Sequence, residues 1–340
     1  MKIRLFSSSL AIAGMLATLI LASCVPPLPL ISPPFTVTPP STPTFTPTPA
    51  PPTPTPQPAK AALVIAPRTD PALAKSVQAA VELLARQAGL PLEVNPSGAG
   101  NWKVAVYLNP SADLAKTAGS LPGTQFLAIS QVDLDKAPNL SVIRIHTEQE
   151  VFVAGYVTML VAPDWRAGAL LASDTALGDK LDEVFRNGGY FFCGACWSAL
   201  SPILSFPITA SLPANSDLAA WQNALDGLHK SIIYTLYVSP QAATPDLLQY
   251  LVTQKFYLVG GATPAPEIRS RWAATVSSDA LTPLQQVWPG LLSGKGGQVV
   301  DAPVLVSDIQ DSLLGLGKQQ LVQQLIQDLA DGQVYPFTIR

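Results

Sequence analysis

A long segment that lacks charge and is rich in proline limits where this chain can fold. Residues 25–59 contain fifteen Pro and eight Thr, and no Lys, Arg, Asp or Glu occurs between Arg4 and Lys60. Proline fixes φ and removes a backbone donor, so such a segment favours extended polyproline II and cannot build a packed core. We therefore predict a semi-rigid stalk over residues 24–59 and a globular domain over residues 60–340.

The segment before the stalk has the pattern of an export signal. A basic start, Met1–Arg4, precedes an apolar run that ends in Leu21-Ala22-Ser23-Cys24. These four residues resemble the bacterial lipobox, in which the Cys is lipidated and becomes the mature N-terminus. We predict a signal peptide over residues 1–23, a lipid anchor on Cys24 and a location on the extracytoplasmic face of the cell membrane. The alternatives are an ordinary signal peptide with a chance Cys and an uncleaved anchor helix.

The composition argues against several classes of function. The 340 residues carry a net charge of −3 without a cluster of Lys and Arg, which argues against nucleic acid as a partner. Two His and three Cys argue against a multi-ligand zinc or iron–sulfur site, since structural zinc normally takes four such ligands. No Gly-x-Ser-x-Gly, P-loop or His-Glu-x-x-His pattern is present. We therefore expect no metal, no cofactor and no enzymatic activity.

From residue 61 onward, short apolar runs alternate with longer amphipathic segments. This alternation is typical of an α/β fold in which helices connect parallel strands. We predict two lobes with parallel sheets flanked by helices: lobe one over about residues 60–175 with a late return segment, and lobe two over about residues 176–300. Ligands of such sheets bind beyond the carboxyl ends of the strands, so we expect the site in the cleft between the lobes.

The region from Phe126 to Asp174 carries a more specific pattern. It contains the strand Phe126–Ile129, the segment Glu148–Val157 with its Phe-x-Ala-Gly-Tyr sequence, and the strand start Arg166–Leu170. This order is similar to the middle of the basic membrane lipoprotein family, and the helix Gln319–Gly332 resembles the end of that family. Those proteins are purine-nucleoside-binding relatives of type 1 periplasmic binding proteins. The resemblance implies a two-lobed type 1 fold that binds a solute and presents it to an ABC permease.

The family's ligand-contacting positions differ in this chain. Pro67-Arg68-Thr69-Asp70-Pro71 follows the first strand where the family has an Asp-x-Ser-Phe-Asn-like stretch. Ser130 stands where the family carries an Asp at the end of the fourth strand, and Gly260-Gly261-Ala262 replaces its Gly-x-Asp turn. Polar recognition depends on each partner being present, so the resemblance implies the fold but not the nucleoside specificity.

We select ligand-binding candidates by their position near the carboxyl end of a predicted strand. Among them, Arg68 suits an anionic group, and His146 has an alternative role as a helix-entry histidine bonded to local backbone. The candidates are Arg68, Thr69, Asn109, Ser130, His146, Glu148, Asp174, Ser239, Gly261 and Ser278.

Cys193 and Cys196 have the spacing of a redox-active thiol pair. The motif follows a predicted helix and a Gly188-Gly189 break, and no Lys, Arg or His lies within six residues on either side. A structural disulfide or a free pair is therefore favoured over an exchange catalyst. An extracytoplasmic compartment is oxidising, which makes the bond chemically reasonable.

Together, these patterns favour a membrane-tethered solute-binding protein. We expect three partners: a small polar ligand, an ABC permease and the lipid bilayer. The alternative is a surface sensing or interaction module that kept the fold and lost transport, and a thiol–disulfide enzyme ranks third.

Overall fold

The computed structural model describes residues 59–67, 69–98, 100–194, 196–198, 201–228 and 232–337. All of them fall within the unit Pro56–Arg340. The predicted signal peptide, Cys24, the stalk up to residue 58 and Arg68 lie outside the described residues. Within the described ranges, no helix is long and apolar enough to cross a membrane.

Strands and helices alternate along most of this region, as the sequence predicts. The strands are β1 (Lys60–Ile65), β2 (Leu92–Val94), β3 (Trp102–Leu108), β4 (Gln125–Ser130), β5 (Leu140–Ile145), β6 (Ala167–Ala172), β7 (Cys196–Ser198), β8 (Ser201–Phe206), β9 (Ile208–Leu212), β10 (Thr235–Val238), β11 (Tyr257–Gly260), β12 (Trp272–Ser278), β13 (Val299–Ala302) and β14 (Val304–Ser307). The α-helices are α1 (Pro71–Gln87), α2 (Leu114–Ser120), α3 (Thr147–Val161), α4 (Lys180–Cys193), α5 (Leu218–Gly227), α6 (Pro245–Thr253), α7 (Leu281–Leu292) and α8 (Leu316–Ala330).

The first sheet is entirely parallel, with the strand order β13-β5-β4-β3-β1-β2. Its central strand β4 is buried along its whole length. A parallel sheet of this kind needs cover on both faces, because its strands are apolar on both sides. Helices α1 and α7 pack into one core cluster of this sheet, and α2 packs into the other.

The second sheet has the order β14-β12-β11-β10-β6-β9 and is parallel except for β14, which runs antiparallel to β12. Helices α3, α4 and α8 share one core cluster with this sheet, and α5 and α6 share another. Helix α3 is buried from Val151 to Val161, which explains why its sequence is apolar on all sides.

The division between the lobes lies earlier than the predicted position near residue 175. Strand β6 pairs with β9 and β10, so it belongs to the second sheet. The first lobe therefore comprises residues 60–145 with α7 and β13, and the second comprises residues 147–278 with β14 and α8. The chain crosses between the lobes three times, from β5 to α3, from β12 to α7 and from β13 to β14.

The predicted late return segment contains two strands, β13 and β14. Pro303 separates β13 from β14, and the two strands lie in different sheets. Proline has no backbone donor for a sheet ladder, which makes it a natural break between strands. A short antiparallel hairpin of β7 and β8 is added to the second lobe.

Candidate functional site

A cavity of about 570 Å³ lies between the two sheets. The first lobe contributes the start of α1, Gln131 after β4, the end of β5 and the start of α7. The second lobe contributes the first turn of α3, the loops after β10 and β11, and residues of β12 and β14. Polar side chains in this lining are Asp70, Lys75, Ser76, Gln131, Glu150, Gln241, Thr263, Thr275, Ser277, Ser278, Asp279 and Ser307.

Glu150, in the first turn of α3, connects the helix to β12 within this cavity. The Ser278 hydroxyl donates a hydrogen bond to its Oε2 atom over 3.0 Å. Burial of the carboxylate and the nearby charge of Asp70 together raise the pKa of Glu150 to about 7, against the hydrogen bonds from Ser278 that lower it. Glu150 therefore exchanges a proton near neutral pH.

Two other carboxylates of the lining cap helices that begin at the cavity. Asp70 accepts a hydrogen bond from the backbone amide of Ala72 over 3.0 Å at the start of α1. Asp279 accepts hydrogen bonds from the amides of Leu281 (3.0 Å) and Thr282 (3.1 Å) at the start of α7. Burial raises the pKa of Asp70, although the backbone hydrogen bonds oppose this. Both carboxylates thus satisfy helix amides that would otherwise lack partners.

The second-lobe wall is held by close contacts behind the lining. The indole of Trp272 donates to the Thr275 hydroxyl over 3.0 Å, and that hydroxyl donates to the Asp308 carboxylate over 2.9 Å. A side chain at Gly260 would collide with the Trp272 ring, and one at Gly261 would collide with Pro240. Glycine is therefore required at the turn after β11.

The structure brings only some of the predicted site residues to the cavity. Gly261 and Ser278 line it. The Ser130 hydroxyl instead exchanges hydrogen bonds with the backbone of Val132, and the Ser239 hydroxyl accepts one from the Ala172 amide over 2.8 Å. The residues that follow line the cavity instead: Gln131 after Ser130, and Pro240 and Gln241 after Ser239. Arg68 lies outside the described residues.

Three further candidates are not among the residues that line the cavity. The Thr69 hydroxyl donates to the Ala66 carbonyl over 2.8 Å. Asn109 occupies the left-handed region at φ 50°, and its buried Oδ1 atom has no hydrogen-bond partner within the described part of the chain. The Asp174 carboxylate accepts a hydrogen bond from the Ala214 amide over 2.8 Å. Local backbone contacts thus account for Thr69 and Asp174.

His146 and Glu148 lie at the crossover from β5 to α3. The His146 ring contacts Glu148 through Nδ1 and Asp301 of β13 through Nε2, both at 3.0 Å. The Arg144 side chain donates to the same Asp301 carboxylate over 2.8 Å, and the pKa of Asp301 is lowered by its hydrogen bonds with Arg144 and His146 despite a burial effect in the other direction. Both His146 and Glu148 line a second cavity of about 540 Å³ beside the C-terminal segment Val334–Phe337. The predicted pair therefore faces away from the interlobe cavity.

Cys193 and Cys196 form a disulfide between the end of α4 and the start of β7. The bond lies beside the added hairpin and not in the interlobe cavity. Within the described ranges, no group of three or more His, Cys, Asp or Glu side chains is arranged to hold a metal ion.

Two lobes of parallel sheet covered by helices, with a cleft at the carboxyl ends of the strands, define the two-lobed type 1 periplasmic-binding-protein fold. An ABC-transporter solute-binding protein from Conexibacter woesei matches with a TM-score of 0.60 and 17% identity, over 82% of this chain and 100% of its own. A solute-binding protein from Actinobacillus succinogenes with bound D-allose matches with a TM-score of 0.54 and 13% identity, over 75% of this chain and 99% of its own.

The same fold occurs in a transcriptional activator of the comK gene from Bacillus halodurans. This structure matches with a TM-score of 0.62 and 11% identity, over 82% of this chain and 100% of its own. No protein-family model matches the sequence, and no curated protein matches it either. At these identities the likeness establishes the fold and leaves function to the chemistry of the site.

Sequence reasoning missed most of the polar lining, including Glu150, Gln131 and Gln241. A signal was nevertheless available, because Gln131 comes directly after a strand and Gln241 follows one by three residues. Glu150 lies in the first turn of the helix after β5 and was overlooked in favour of Glu148. Because side chains three to four positions apart share a helix face, residues two apart point in different directions.

Proposed function

We propose that the protein is a lipid-anchored extracytoplasmic solute-binding protein that delivers a small polar molecule to an ABC permease. The observation that carries the proposal is the 570 Å³ cavity, whose polar lining comes from both lobes. A cavity of this size suits a small molecule. Structures of the same fold include solute-binding proteins of ABC transporters, one of them with bound D-allose. The proposed activity is binding without a chemical reaction.

Transport would depend on closure of the two lobes around the ligand. Each lobe supplies only part of the lining, so a ligand that contacts both lobes favours the closed arrangement over the open one. Three crossovers give the chain a hinge that separates the lobes without unfolding either sheet. The permease would then recognise the closed, loaded form.

The N-terminal residues support the proposed anchor. The Leu21-Ala22-Ser23-Cys24 sequence resembles a lipobox, and a diacylated Cys would supply the two chains that stable membrane binding requires. As a polyproline II helix of about 35 residues at roughly 3.1 Å per residue, the proposed stalk would allow about 100 Å between the membrane and the domain.

A second candidate function is a sensing or interaction module that kept the fold. The transcriptional activator of the same fold favours it, because it shows that the fold also serves proteins outside transport. The absence of the basic membrane lipoprotein acids at Ser130 and Ala262 also favours it. Membership of the basic membrane lipoprotein family remains a prediction. The changes at Ser130 and Ala262 argue against a nucleoside as the ligand.

Ligand-dependent stability tests the proposed function. The full-length protein in detergent micelles is examined by native mass spectrometry and then melted with sugars, nucleosides, amino acids, amines and small acids. A ligand at 100 times its dissociation constant adds about 2.7 kcal/mol to the free energy of unfolding, which shifts the melting temperature measurably. We expect at least one class to produce this shift.

A variant that fills the cavity locates the binding. Ser277→Trp places an indole in the lining, and Ser120→Trp adds the same ring at the exposed end of α2. We expect the first variant to lose the ligand-induced shift and the second to keep it. If no ligand class shifts the melting temperature, the interaction module replaces transport as the better explanation.

A further inference from the structure

Building on the proposed solute-binding function, we propose that the ligand of the interlobe cavity carries a positively charged aliphatic amino group, which Glu150 holds with support from Asp70. This ligand class differs from the nucleoside of the family that the sequence resembles. It also differs from the anionic group that Arg68 alone suggests.

The charge of the described lining favours a cation. Three carboxylates, Asp70, Glu150 and Asp279, face one ammonium group, that of Lys75. Asp70 and Asp279 also accept backbone hydrogen bonds as helix caps, so part of their capacity is already used. Glu150 caps no helix; its carboxylate accepts hydrogen bonds from the side chain and the backbone of Ser278, and it lines the cavity, where a ligand can reach it.

The surroundings of Glu150 disfavour its ionised form when no cation is beside it. Its pKa is raised to about 7 by burial and by the nearby charge of Asp70. The fully buried Tyr237 hydroxyl, which has no hydrogen-bond partner among the described residues, has its own pKa raised by burial and by the charges of Glu150 and Asp70. An ammonium group placed in the cavity would offset this excess of negative charge and form a charge-assisted hydrogen bond.

The residue types of the lining also favour an aliphatic amine. Among the described residues that line the cavity, none is aromatic; they are Asp, Glu, Lys, Ser, Thr, Gln, Gly, Pro and aliphatic side chains. Purine bases and sugar rings gain binding energy by stacking on aromatic faces, which this lining does not offer. A flexible aliphatic ligand gains its energy from charge and from contacts with side chains such as Leu73, Ile145 and Leu305.

Protonation of Glu150 gives the proposal a characteristic pH dependence. The titratable groups that line the cavity with Glu150 are Asp70 and Lys75 of α1 and Asp279 at the crossover to α7, and Tyr237 of β10 lies within reach of its charge. Burial and the nearby charge of Asp70 raise the pKa of Glu150 to about 7. As the pH rises from 6 to 8, its ionised fraction grows about tenfold, while an alkyl amine stays charged because its pKa is about 10.

Matched pairs of amine and neutral ligand test the proposal in the full-length protein by isothermal titration calorimetry. The pairs are putrescine with 1,4-butanediol, ethanolamine with ethylene glycol, and D-glucosamine with D-glucose. We expect the amine of at least one pair to bind tenfold or more tightly than its neutral partner. Affinity for an alkyl amine should also rise about tenfold between pH 6 and pH 8.

Two variants of the same helical turn identify the carboxylate. Glu150→Gln should lower amine affinity at pH 8 by tenfold or more, whereas Glu148→Gln, which alters a side chain of the second cavity, should change it less than threefold. The comparison of matched ligands in the wild-type protein does not depend on the folding of either variant.

Four results would overturn the proposal. If neutral members bind as tightly as amines, solute binding stands and the assigned ligand class is wrong. If Glu150→Gln keeps full amine affinity, solute binding stands and the assignment of Glu150 as the carboxylate that holds the amine is wrong. If anionic ligands bind in place of amines, solute binding stands and the assigned ligand class is again wrong. If no member of these pairs and no compound of the wider panel binds, the proposed function fails together with this inference.

Discussion

Glu150 makes the stability of the ligand-free protein depend on pH. Its pKa is about 7 in the folded state against 4.5 for an unperturbed glutamate, so the folded state retains a proton that the unfolded state has released between these values. The contribution of Glu150 to the free energy of unfolding therefore falls as the pH rises from about 4.5 to 7. Glu150→Gln, which cannot ionise, should be more stable than the wild type at pH 8 by about 3 kcal/mol and equally stable near pH 4.

Urea unfolding at several pH values measures this difference, with Glu148→Gln as the control. Glu148 contacts His146 and lies outside the interlobe cavity, so its substitution should not produce the same rise in relative stability. Equal stability of Glu150→Gln and the wild type at pH 8 would contradict the raised pKa. Such a result would also weaken the electrostatic case for a cationic ligand.

At the level of single residues, the sequence locates the edge of the site better than the side chains that form it. Of the predicted residues, Gly261 and Ser278 line the cavity. Ser130 and Ser239 instead form hydrogen bonds with backbone groups through their hydroxyls. Successive residues of a strand point to opposite faces, and the loop that follows can orient either face to the cavity. A prediction based on strand ends therefore misses by one or two positions, as it does for Gln131 and Gln241.

The packing of α3 on α4 explains the family-like segment of the sequence at the scale of elements. A side chain at Gly155 would collide with the Phe185 carbonyl oxygen, and one at Gly188 would collide with the Phe152 carbonyl oxygen. The Phe-x-Ala-Gly-Tyr sequence thus lets two helices approach each other closely. We expect Gly155→Ala and Gly188→Ala each to lower the free energy of unfolding by about 1–3 kcal/mol, because the backbones must separate.

Gly119→Ala in α2 is the matched control for these two substitutions. A side chain at Gly119 meets no atom within 4 Å, and alanine favours helix, so this change should be neutral or stabilising by up to about 1 kcal/mol. Thermal and urea unfolding of the three variants provide the comparison. Unchanged stability of Gly155→Ala and Gly188→Ala would mean that the helices are not in close contact.

Connections between elements were harder to predict than the elements themselves. The hydrophobic pattern of β6 is the same whether the strand joins the first or the second sheet, so the lobe boundary near residue 175 had no local signal. By contrast, the break between β13 and β14 had one, because Pro303 interrupts the apolar run. Pairing between distant strands is a property of the whole fold and leaves only indirect marks in a single sequence.

For the whole molecule, the alternation of strands and helices was sufficient to predict a two-lobed α/β fold, because parallel strands need crossover helices and cover on both faces. The ligand was not predictable in the same way. The cavity collects residues from α1, α3, β12 and β14, whose proximity depends on the arrangement of both lobes. The sequence therefore predicts the class of protein more readily than the chemistry of its site.

The lipid anchor is the feature of the whole molecule that is open to the most direct chemical test. No Lys or Arg lies between Arg4 and Lys60, so trypsin should leave Cys24–Lys60 as one N-terminal peptide of the mature protein. Mass spectrometry of the membrane-extracted protein should find this peptide with a diacylglyceryl group on Cys24. Cells fed labelled fatty acid should label the wild type and Ser23→Ala, which keeps a small residue before the Cys, but not Cys24→Ala. A peptide that still contains residues 5–23 would instead support the uncleaved anchor helix. A cleaved chain with an unmodified Cys24 would support the ordinary signal peptide.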